Sequence, residues 1–331
     1  MNRREETRRT FLKSVTKTAA VLVTSGWRDL SVLAAPGQPA PGGPTLVSKA
    51  LPPVRIGILL GTFKTGSLAT RLDGVKANGI DTIQLSMDCT GLPLMPDEIT
   101  SQHARQIRAE AAARKITLAS VSGTFNMCHP DAEYRQAGLR RLRVIAEACH
   151  EMGIDKIHLC SGTRDRTSMW KAHPDNDTPA AWRDTMASMR EAVDIARQAR
   201  VVLAFEPEVN NVVSSARKAR RLIDEIGSPH LKVTFDAANL FPAGQLPRMK
   251  EILEEAFTLI GREVVLAHAK DLDHDGDAGH LPAGHGKLDY DTYIALLRKY
   301  KFTGPLLLHS LTEAQVPECV NFLRRKINAP A

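Results

Sequence analysis

The sequence predicts an α/β fold, a closed (β/α)8 TIM barrel that follows an N-terminal signal segment and a linker. From residue 54 onward, eight short apolar runs alternate with amphipathic helical segments, and eight such units in roughly 270 residues match the size of one barrel. The runs show little polar alternation, which is typical of strands buried on both faces of a parallel sheet. Polar residues gather where the runs end, and TIM barrels carry their functional groups at that point.

The eight strand candidates are runs of six or seven residues in which aliphatic side chains dominate. They are residues 54–60, 82–87, 117–123, 156–162, 201–207, 231–237, 264–270 and 305–310. Helical periodicity fills the intervals, and residues 139–152 and 182–196 each place apolar side chains on one face. An open, doubly wound sheet is the alternative architecture. It ordinarily has a glycine-rich fingerprint after its first strand, and residues 61–66 lack one.

The first 53 residues are expected to lie outside the barrel. Residues 7–13 read Thr-Arg-Arg-Thr-Phe-Leu-Lys and resemble a twin-arginine export signal at every defined position of that pattern. We therefore assign residues 1–34 to a twin-arginine signal peptide, with small residues before Ala35 that would allow cleavage. Residues 35–53 are a Pro/Gly-rich linker, and residues 54–327 form the barrel. The pattern predicts export to the periplasm by the twin-arginine machinery.

Composition excludes several classes of protein. The formal net charge is +7, but residues 1–34 hold seven Lys and Arg against three acidic residues, so the barrel itself is nearly balanced. It shows no basic stripe interleaved with aromatic residues, and we expect no nucleic-acid partner. No apolar run reaches about 18 residues, so no stable membrane span is expected in the barrel. The five cysteines are odd in number and form no CxxC motif, so no disulfide framework is indicated, and Cys149 and Cys160 are expected to be small buried hydrophobic residues.

Four potential metal ligands follow four consecutive predicted strands. Glu206 ends the fifth strand, Asp236 the sixth, His268 the seventh and His309 the eighth. Because the C-terminal ends of barrel strands meet at one mouth, these side chains are expected to converge there. Carboxylates with imidazoles suit one divalent metal ion, with Mn²⁺ as first choice and Zn²⁺, Co²⁺ or Fe²⁺ as alternatives. The competing interpretation is a hydrogen-bond network without metal.

Other polar residues at the same mouth are candidates for substrate binding. They are Asn126, His129, Arg164, Trp170, Glu208 and Asn239. Loops are polar in most proteins, so their position alone is a weak signal. The segment 273–280 combines aspartates with two histidines, but it lies in a long loop after the seventh strand. We expect a solvated lid there rather than a metal cluster.

These motifs, in this order, resemble the xylose isomerase-like barrel family of sugar-phosphate isomerases, ketose 3-epimerases, inosose dehydratases and type IV endonucleases. The resemblance covers about residues 54–327 and rests on Glu206, Asp236 with Asn239, the segment 268–271 and the segment 282–286. It implies a metal held by Glu, Asp, His and Glu, with the two Glu residues acting as acid and base.

Glu206, Asp236 and His268 match the first three of these family ligands. The fourth position departs from the family, because a motif that usually reads Gly-x-Leu-x-x-Glu ends here in His309. A relay between two ligand carboxylates is therefore in question, and Glu208, His129 or Lys270 are the candidates for the missing partner.

The resemblance implies a divalent-metal-dependent isomerase or epimerase of a sugar or keto-sugar. The reaction would abstract a proton next to a carbonyl through a metal-stabilised enediolate, with Glu206, His309 and Lys270 as catalytic residues. One alternative is a lyase or dehydratase that eliminates from a 3-keto-glycoside or a related oxidised sugar, which His309 in place of Glu favours. Another is a sugar-binding barrel without turnover. A small sugar-like substrate is the expected partner, and the sequence does not indicate an oligomeric state.

Overall fold

The computed structural model describes residues 54–329, which form a closed parallel barrel surrounded by helices. The strands are β1 (Arg55–Leu59), β2 (Thr82–Leu85), β3 (Thr117–Ser122), β4 (Lys156–Cys160), β5 (Val202–Glu206), β6 (Leu231–Asp236), β7 (Val264–Asp271), β8 (Leu281–Pro282) and β9 (Pro305–Leu308). Eight of them pair in parallel, and β9 closes the barrel by lying between β7 and β1. The predicted (β/α)8 fold is confirmed, whereas the predicted signal and linker lie outside the described residues.

The helices occupy the intervals where the sequence shows helical periodicity. They are α1 (Leu68–Ala77), α2 (Ser101–Ala113), α3 (Ala132–Met152), α4 (Pro179–Ala199), α5 (Ala216–Ile226), α6 (Met249–Ile260), α7 (Tyr290–Lys299) and α8 (Val316–Asn328). Six helices, α1 to α5 and α7, begin at a Ser, Thr or Asp whose side chain accepts a backbone N–H of the first turn. Gly153 and Gly227 end α3 and α5 in the left-handed conformation, which glycine adopts at low cost.

A layer of apolar side chains inside the barrel determines where the functional residues point. Ala204, Leu266 and Leu307 are fully buried and pack together across β5, β7 and β9. Side chains alternate between the two faces of a strand, so a residue two positions further along faces the same way. Glu206, His268 and His309 each stand two positions beyond these three residues. They therefore form the next layer, at the C-terminal mouth of the barrel.

One strand was not predicted. β8 has two residues and pairs in antiparallel fashion with the end of β7, through Lys270 with Pro282 and Asp271 with Leu281. This hairpin returns the long loop after β7 to the barrel mouth. All five cysteines are free and buried, which includes Cys149 and Cys160, for which burial was predicted. Between residues 54 and 329, the structure has no helix of the length and apolar character that a membrane crossing requires.

The hairpin brings the segment 268–271 next to the segment 282–286. The buried carboxylate of Asp271 accepts backbone N–H groups from Gly284 and Leu288, at 3.0 and 2.9 Å. A side chain at Gly286 would place its Cβ only 2.4 Å from Oδ1 of Asp271, so glycine is required there. Asp271 thus fastens the returning loop, and its role is to hold the mouth in shape.

Candidate functional site

The four predicted ligands converge at the barrel mouth. Nδ1 of His268 lies 3.2 Å from Oε2 of Glu206 and 3.7 Å from Oδ2 of Asp236. Nδ1 of His309 lies 3.8 Å from the same Asp236 oxygen. Ligand atoms about 2.1 Å from a common ion stand roughly 3.0–3.4 Å apart in octahedral or tetrahedral geometry. The observed separations are close to that range without an ion.

Three of these donor atoms have no hydrogen-bond partner. Oδ2 of Asp236, Nδ1 of His268 and Nδ1 of His309 are buried without a hydrogen bond, which is rare in folded proteins, and their contacts are ion-pair contacts only. A buried polar group without a hydrogen bond costs about 1–3 kcal/mol, so a ligand shared by the three atoms would be stabilising. All three atoms face a single region, together with Glu206. The residues therefore fit a divalent metal ion. A metal-free network of hydrogen bonds fits less well, because these three atoms make no hydrogen bond.

A fifth donor was not predicted from the sequence. His158 lies in β4, and its Nε2 atom is 3.5 Å from Oε2 of Glu206. His158, Glu206 and His268 form one group of possible ligands, and Asp236, His268 and His309 form a second group that shares His268. The only signal for His158 in the sequence was a histidine within an otherwise apolar strand. Because both faces of such a strand are buried, the sequence alone could not show that it faces the barrel interior.

The ligand side chains are held in place by a second set of polar residues. Nε2 of His268, on the far side of its ring, lies 3.4 Å from Oε1 of Gln84 in β2. The amide of Asn239 donates to Oε1 of Glu206 and leaves Oε2 facing the histidines. Nδ1 of His158 contacts the hydroxyl of Thr234 at 3.1 Å. Such contacts select the tautomer and orientation of a ligand before any ion is bound.

Burial and mutual charge shift the ionisation of the whole cluster. Burial opposes charge on His268, but the Glu206 and Asp236 carboxylates raise its pKa to about 9. Burial likewise disfavours the charged form of Glu206, yet the positive charge of His268 lowers its pKa to about 2. For His158 burial dominates and lowers the pKa to about 3, so this imidazole is neutral. His268 is therefore protonated near neutral pH when no ion is bound, and a metal ion would displace that proton, because imidazole binds metal ions in its neutral form.

The cluster forms the floor of a cavity of about 740 Å³ at the barrel mouth. Glu206, His268, His309 and the predicted residues Glu208, Lys270 and Trp170 all line it. Nζ of Lys270 is buried 3.2 Å from Oδ2 of Asp236, and that carboxylate outweighs the effect of burial and raises the Lys270 pKa. Burial and the charge of Glu206 raise the pKa of Glu208 to about 8. The cavity therefore presents an ammonium group and a second carboxyl group beside the ligands.

Three residues that were predicted to bind substrate do not line this cavity. The side chain of Asn126 accepts the backbone N–H groups of Cys128 and Thr163 and donates to the carbonyl of Asp165. His129 contacts the carbonyl of Arg166, and Arg164 pairs with Asp184. All three side chains therefore make their contacts within or beside the loop between β4 and α4. Their position after a strand was foreseen, but the direction of their side chains was not.

Asn239 also differs from its predicted role. It is fully buried, donates to Glu206 and accepts the backbone N–H of Gly279 at 3.1 Å. These contacts make it a positioning residue for Glu206 and for the loop before β8. In that loop Asp273, His274 and His280 are exposed and lie close together. His280 also lines the cavity, as does Asp277. The loop therefore lines part of the cavity, and its role as a lid stays a prediction.

Comparison with known proteins finds relatives in sequence and in fold. The chain is 24% identical over 247 residues to L-ribulose-5-phosphate 3-epimerase of Salmonella paratyphi C, which covers 73% of this chain and 82% of that protein. The fold is similar to 3-keto-D-glucoside 4-epimerase of E. coli, with a TM-score of 0.63, 16% identity and coverage of 82% of this chain and 99% of that one. It is also similar to a probable 3-DHS dehydratase of Bacillus anthracis, with a TM-score of 0.64, 13% identity and coverage of 82% and 98%.

A sequence profile of one family matches most of the barrel. The match spans residues 72–326, which include all five candidate ligands and the residues that position them. The resemblance seen in the motifs is thereby confirmed over well more than half of the chain. This chain belongs to the xylose isomerase-like TIM barrel family.

Proposed function

We propose that this protein is a divalent-metal-dependent isomerase or epimerase that acts on a sugar or keto-sugar. The observation that carries the proposal is the convergence of three buried donor atoms that make no hydrogen bond, on Asp236, His268 and His309, beside Glu206 on the floor of a cavity. The relative and one of the solved structures are epimerases of sugar derivatives by name, which supports the class of enzyme. A small sugar-like substrate fits the polar floor of the cavity.

The metal would be held by Glu206, Asp236, His268 and His309, with His158 as a further donor. When bound, a divalent ion supplies a Lewis acid that polarises a carbonyl and stabilises negative charge on the neighbouring oxygens. Two carboxylates with imidazoles suit Mn²⁺ first, and Zn²⁺, Co²⁺ and Fe²⁺ are the alternatives. The imidazole of His309 at the position of a family carboxylate makes the donor set richer in nitrogen than the family pattern.

Proton transfer is assigned to groups that line the cavity. Glu206 faces the substrate space from β5 and removes the proton next to the carbonyl. Glu208 is the only other buried carboxyl group in the cavity wall among residues 54–329, because Asp277 is exposed. Glu208 is therefore our candidate for the role of the second carboxylate, which the family pattern places where this chain has His309. The ammonium of Lys270 stabilises charge that develops on a substrate oxygen.

An isotope-exchange experiment tests this proposal. The metal-loaded protein is incubated with a panel of keto-sugars in D₂O, and deuterium at the carbon next to the carbonyl is measured by NMR. Incorporation together with a new epimer or isomer is expected. If the panel shows no exchange while the sugars still bind, the protein is a sugar-binding barrel without turnover and the enzymatic proposal is wrong.

A second candidate is a lyase or dehydratase that acts on a 3-keto-glycoside or a related oxidised sugar. His309 favours it, because an imidazole in place of the fourth carboxylate can assist a leaving group on one face of the sugar. The similarity in fold to a probable dehydratase is compatible with this reaction. In the same D₂O experiment, an unsaturated or shortened product would select the lyase, and an intact epimer would select the epimerase.

We also propose that the protein is exported to the periplasm by the twin-arginine route. The support is the match of residues 7–13 to the twin-arginine pattern. That route carries folded proteins, which suits a metal site assembled from five strands of a closed barrel.

A further inference from the structure

Large apolar side chains are exposed at few places on the barrel, and two of them stand at the mouth of the cavity. In the part of the chain that the structure describes, the exposed large hydrophobic residues are Leu94, Tyr134 and Trp170, at 41%, 47% and 44%. Leu94 and Trp170 both line the cavity, as do the half-buried Met169 and Leu311. An exposed apolar patch that borders a polar floor is a common sign of a binding surface.

The loop that carries Trp170 is anchored by one buried carboxylate. Oδ1 of Asp165 accepts the hydroxyl and the backbone N–H of Thr167, at 2.7 and 2.8 Å, and the N–H of Ser168 at 3.0 Å. Its other oxygen pairs with Lys171 at 2.9 Å. The N–H of Trp170 donates to the hydroxyl of Ser168. The indole is thus exposed on a backbone that is held on both sides.

The neighbouring residues add further support to this loop. Asn126 and His129, from the loop after β3, contact the carbonyls of Asp165 and Arg166. The amide of Asn176 accepts the N–H of Arg164 and donates to the carbonyl of Asn210, which ties the loop to the one after β5. A rigid exposed indole loses little entropy when a ligand stacks on it.

The charges in the cavity do not suit a phosphorylated sugar. Its lining contains no arginine, and one of its two lysines, Lys270, is already paired with Asp236. Glu208 adds no positive group, and its raised pKa keeps it uncharged near neutral pH, so the lining has no cluster of free cations. A phosphate is bound in proteins by arginine forks or by several backbone N–H groups, and this lining offers no arginine fork. The ligand that fits is uncharged at its outer end.

The size of the cavity leaves space beyond a single sugar ring. At about 740 Å³, it lies in the upper part of the range for sites that hold drug-sized ligands. The metal-binding floor lies at one end and the apolar rim at the other. The hydrogen-bearing face of a pyranose and the face of an aryl ring both pack well against indole.

We propose that Trp170, Leu94, Met169 and Leu311 form a ring-stacking subsite for the second, uncharged ring of a glycoside, whose reacting sugar lies on the metal-binding floor. The substrate class is therefore an uncharged glycoside rather than a sugar phosphate or a free monosaccharide. The identity of the reacting ring rests on the proposed function, whereas the stacking subsite rests on the rim residues alone.

Equilibrium binding of a matched pair of unreactive ligands tests this subsite. Phenyl glucoside and methyl glucoside, each in both anomeric forms, differ only in the second ring. Calorimetry on the full chain is expected to show phenyl glucoside binding about tenfold more tightly in at least one form. Trp170→Ala should remove this preference, and Trp170→Phe should retain most of it. Tyr134→Ala is the matched control, since Tyr134 is an equally exposed aromatic residue that does not line the cavity.

Several outcomes would overturn the subsite. They are equal affinity for the two glucosides, no binding of either, a preference that survives Trp170→Ala, or tighter binding of glucose 6-phosphate than of phenyl glucoside. The exchange experiment in D₂O is separate from this measurement. Loss of the preference with exchange intact overturns the subsite alone, and a preference without any exchange overturns the enzymatic proposal alone.

Discussion

Nδ1 of His268 lies 3.2 Å from Oε2 of Glu206, although the two residues belong to β7 and β5, which are separated by β6. Asp236, at the end of that intervening strand, approaches the same nitrogen at 3.7 Å. Three neighbouring strands thus direct one donor each toward one point. This arrangement follows from the alternation of side chains along strands of equal tilt, and it is the basis of the predictions below.

Removal of the carboxylate at Glu206 should abolish turnover. Glu206→Gln keeps the shape of the side chain but cannot accept a proton, so deuterium exchange should fall by about 10²–10⁴-fold. Circular dichroism should show an intact fold. Full activity in this variant would exclude Glu206 as the base. The same assay on Glu208→Gln shows whether the second buried carboxyl group is needed as its partner.

The contact between Gln84 and His268 should control metal affinity without touching the metal. Gln84→Ala removes the oxygen that faces Nε2 of His268, and we expect metal affinity to fall by about 10–100-fold. Gln136, an exposed glutamine on α3, supplies the control, and Gln136→Ala should leave affinity unchanged. Equal affinities in all three proteins would show that this contact does not orient the ligand.

The residue at position 309 should determine the donor set at the eighth barrel strand. His309→Ala removes a donor and should weaken metal binding at least tenfold, whereas His309→Glu restores the family carboxylate and should retain one ion per chain. Competition titration with a metal-sensitive dye measures both. If His309→Ala binds metal as tightly as the unchanged protein, His309 is not a ligand.

Asn126 should affect stability rather than substrate binding. Its amide makes three hydrogen bonds in a buried position, so Asn126→Ala should lower the free energy of unfolding by about 1–3 kcal/mol. Urea denaturation provides the measurement. The opposite result, unchanged stability with a raised KM, would return Asn126 to the role of substrate contact that the sequence suggested.

The twin-arginine pattern makes a prediction about location. Replacing Arg8 and Arg9 together by lysine keeps the positive charge but removes the defining pair, so the protein should remain in the cytoplasm of a host that has this export route. Cell fractionation and immunoblotting distinguish the two compartments. Unchanged export in this variant would exclude the twin-arginine machinery.

The positions of the elements followed closely from the sequence, because apolar runs and helical periodicity report burial directly. All eight barrel strands begin within one residue of their predicted starts, and the predicted ligands Glu206, Asp236, His268 and His309 lie together. Two contributors were missed, His158 and Gln84. Each is a polar residue inside a strand that is buried on both faces, and no local pattern shows which face meets the barrel interior.

The residues of the loops were harder to assign for a different reason. Asn126, His129 and Arg164 follow strand ends, as substrate-binding residues do, but their side chains turn toward another loop. Trp170 and Glu208 follow strand ends in the same way and face the cavity. The direction depends on contacts between loops that are distant in sequence, which no single segment encodes. The enzyme class that the motifs predicted, a sugar isomerase or epimerase, is supported by the sequence relative, which is a sugar-phosphate epimerase.

The central claim is that the buried Glu, Asp and His donors at the barrel mouth bind one divalent ion. Elemental analysis of the purified chain, after chelation and reconstitution with Mn²⁺, Zn²⁺, Co²⁺ or Fe²⁺, tests it most directly. We predict about one ion per chain, a thermal midpoint that rises on reconstitution, and loss of both effects in Asp236→Asn together with His268→Gln. A chain that retains no ion under any of these conditions, or a double variant that binds metal as well as the unchanged protein, would contradict the account.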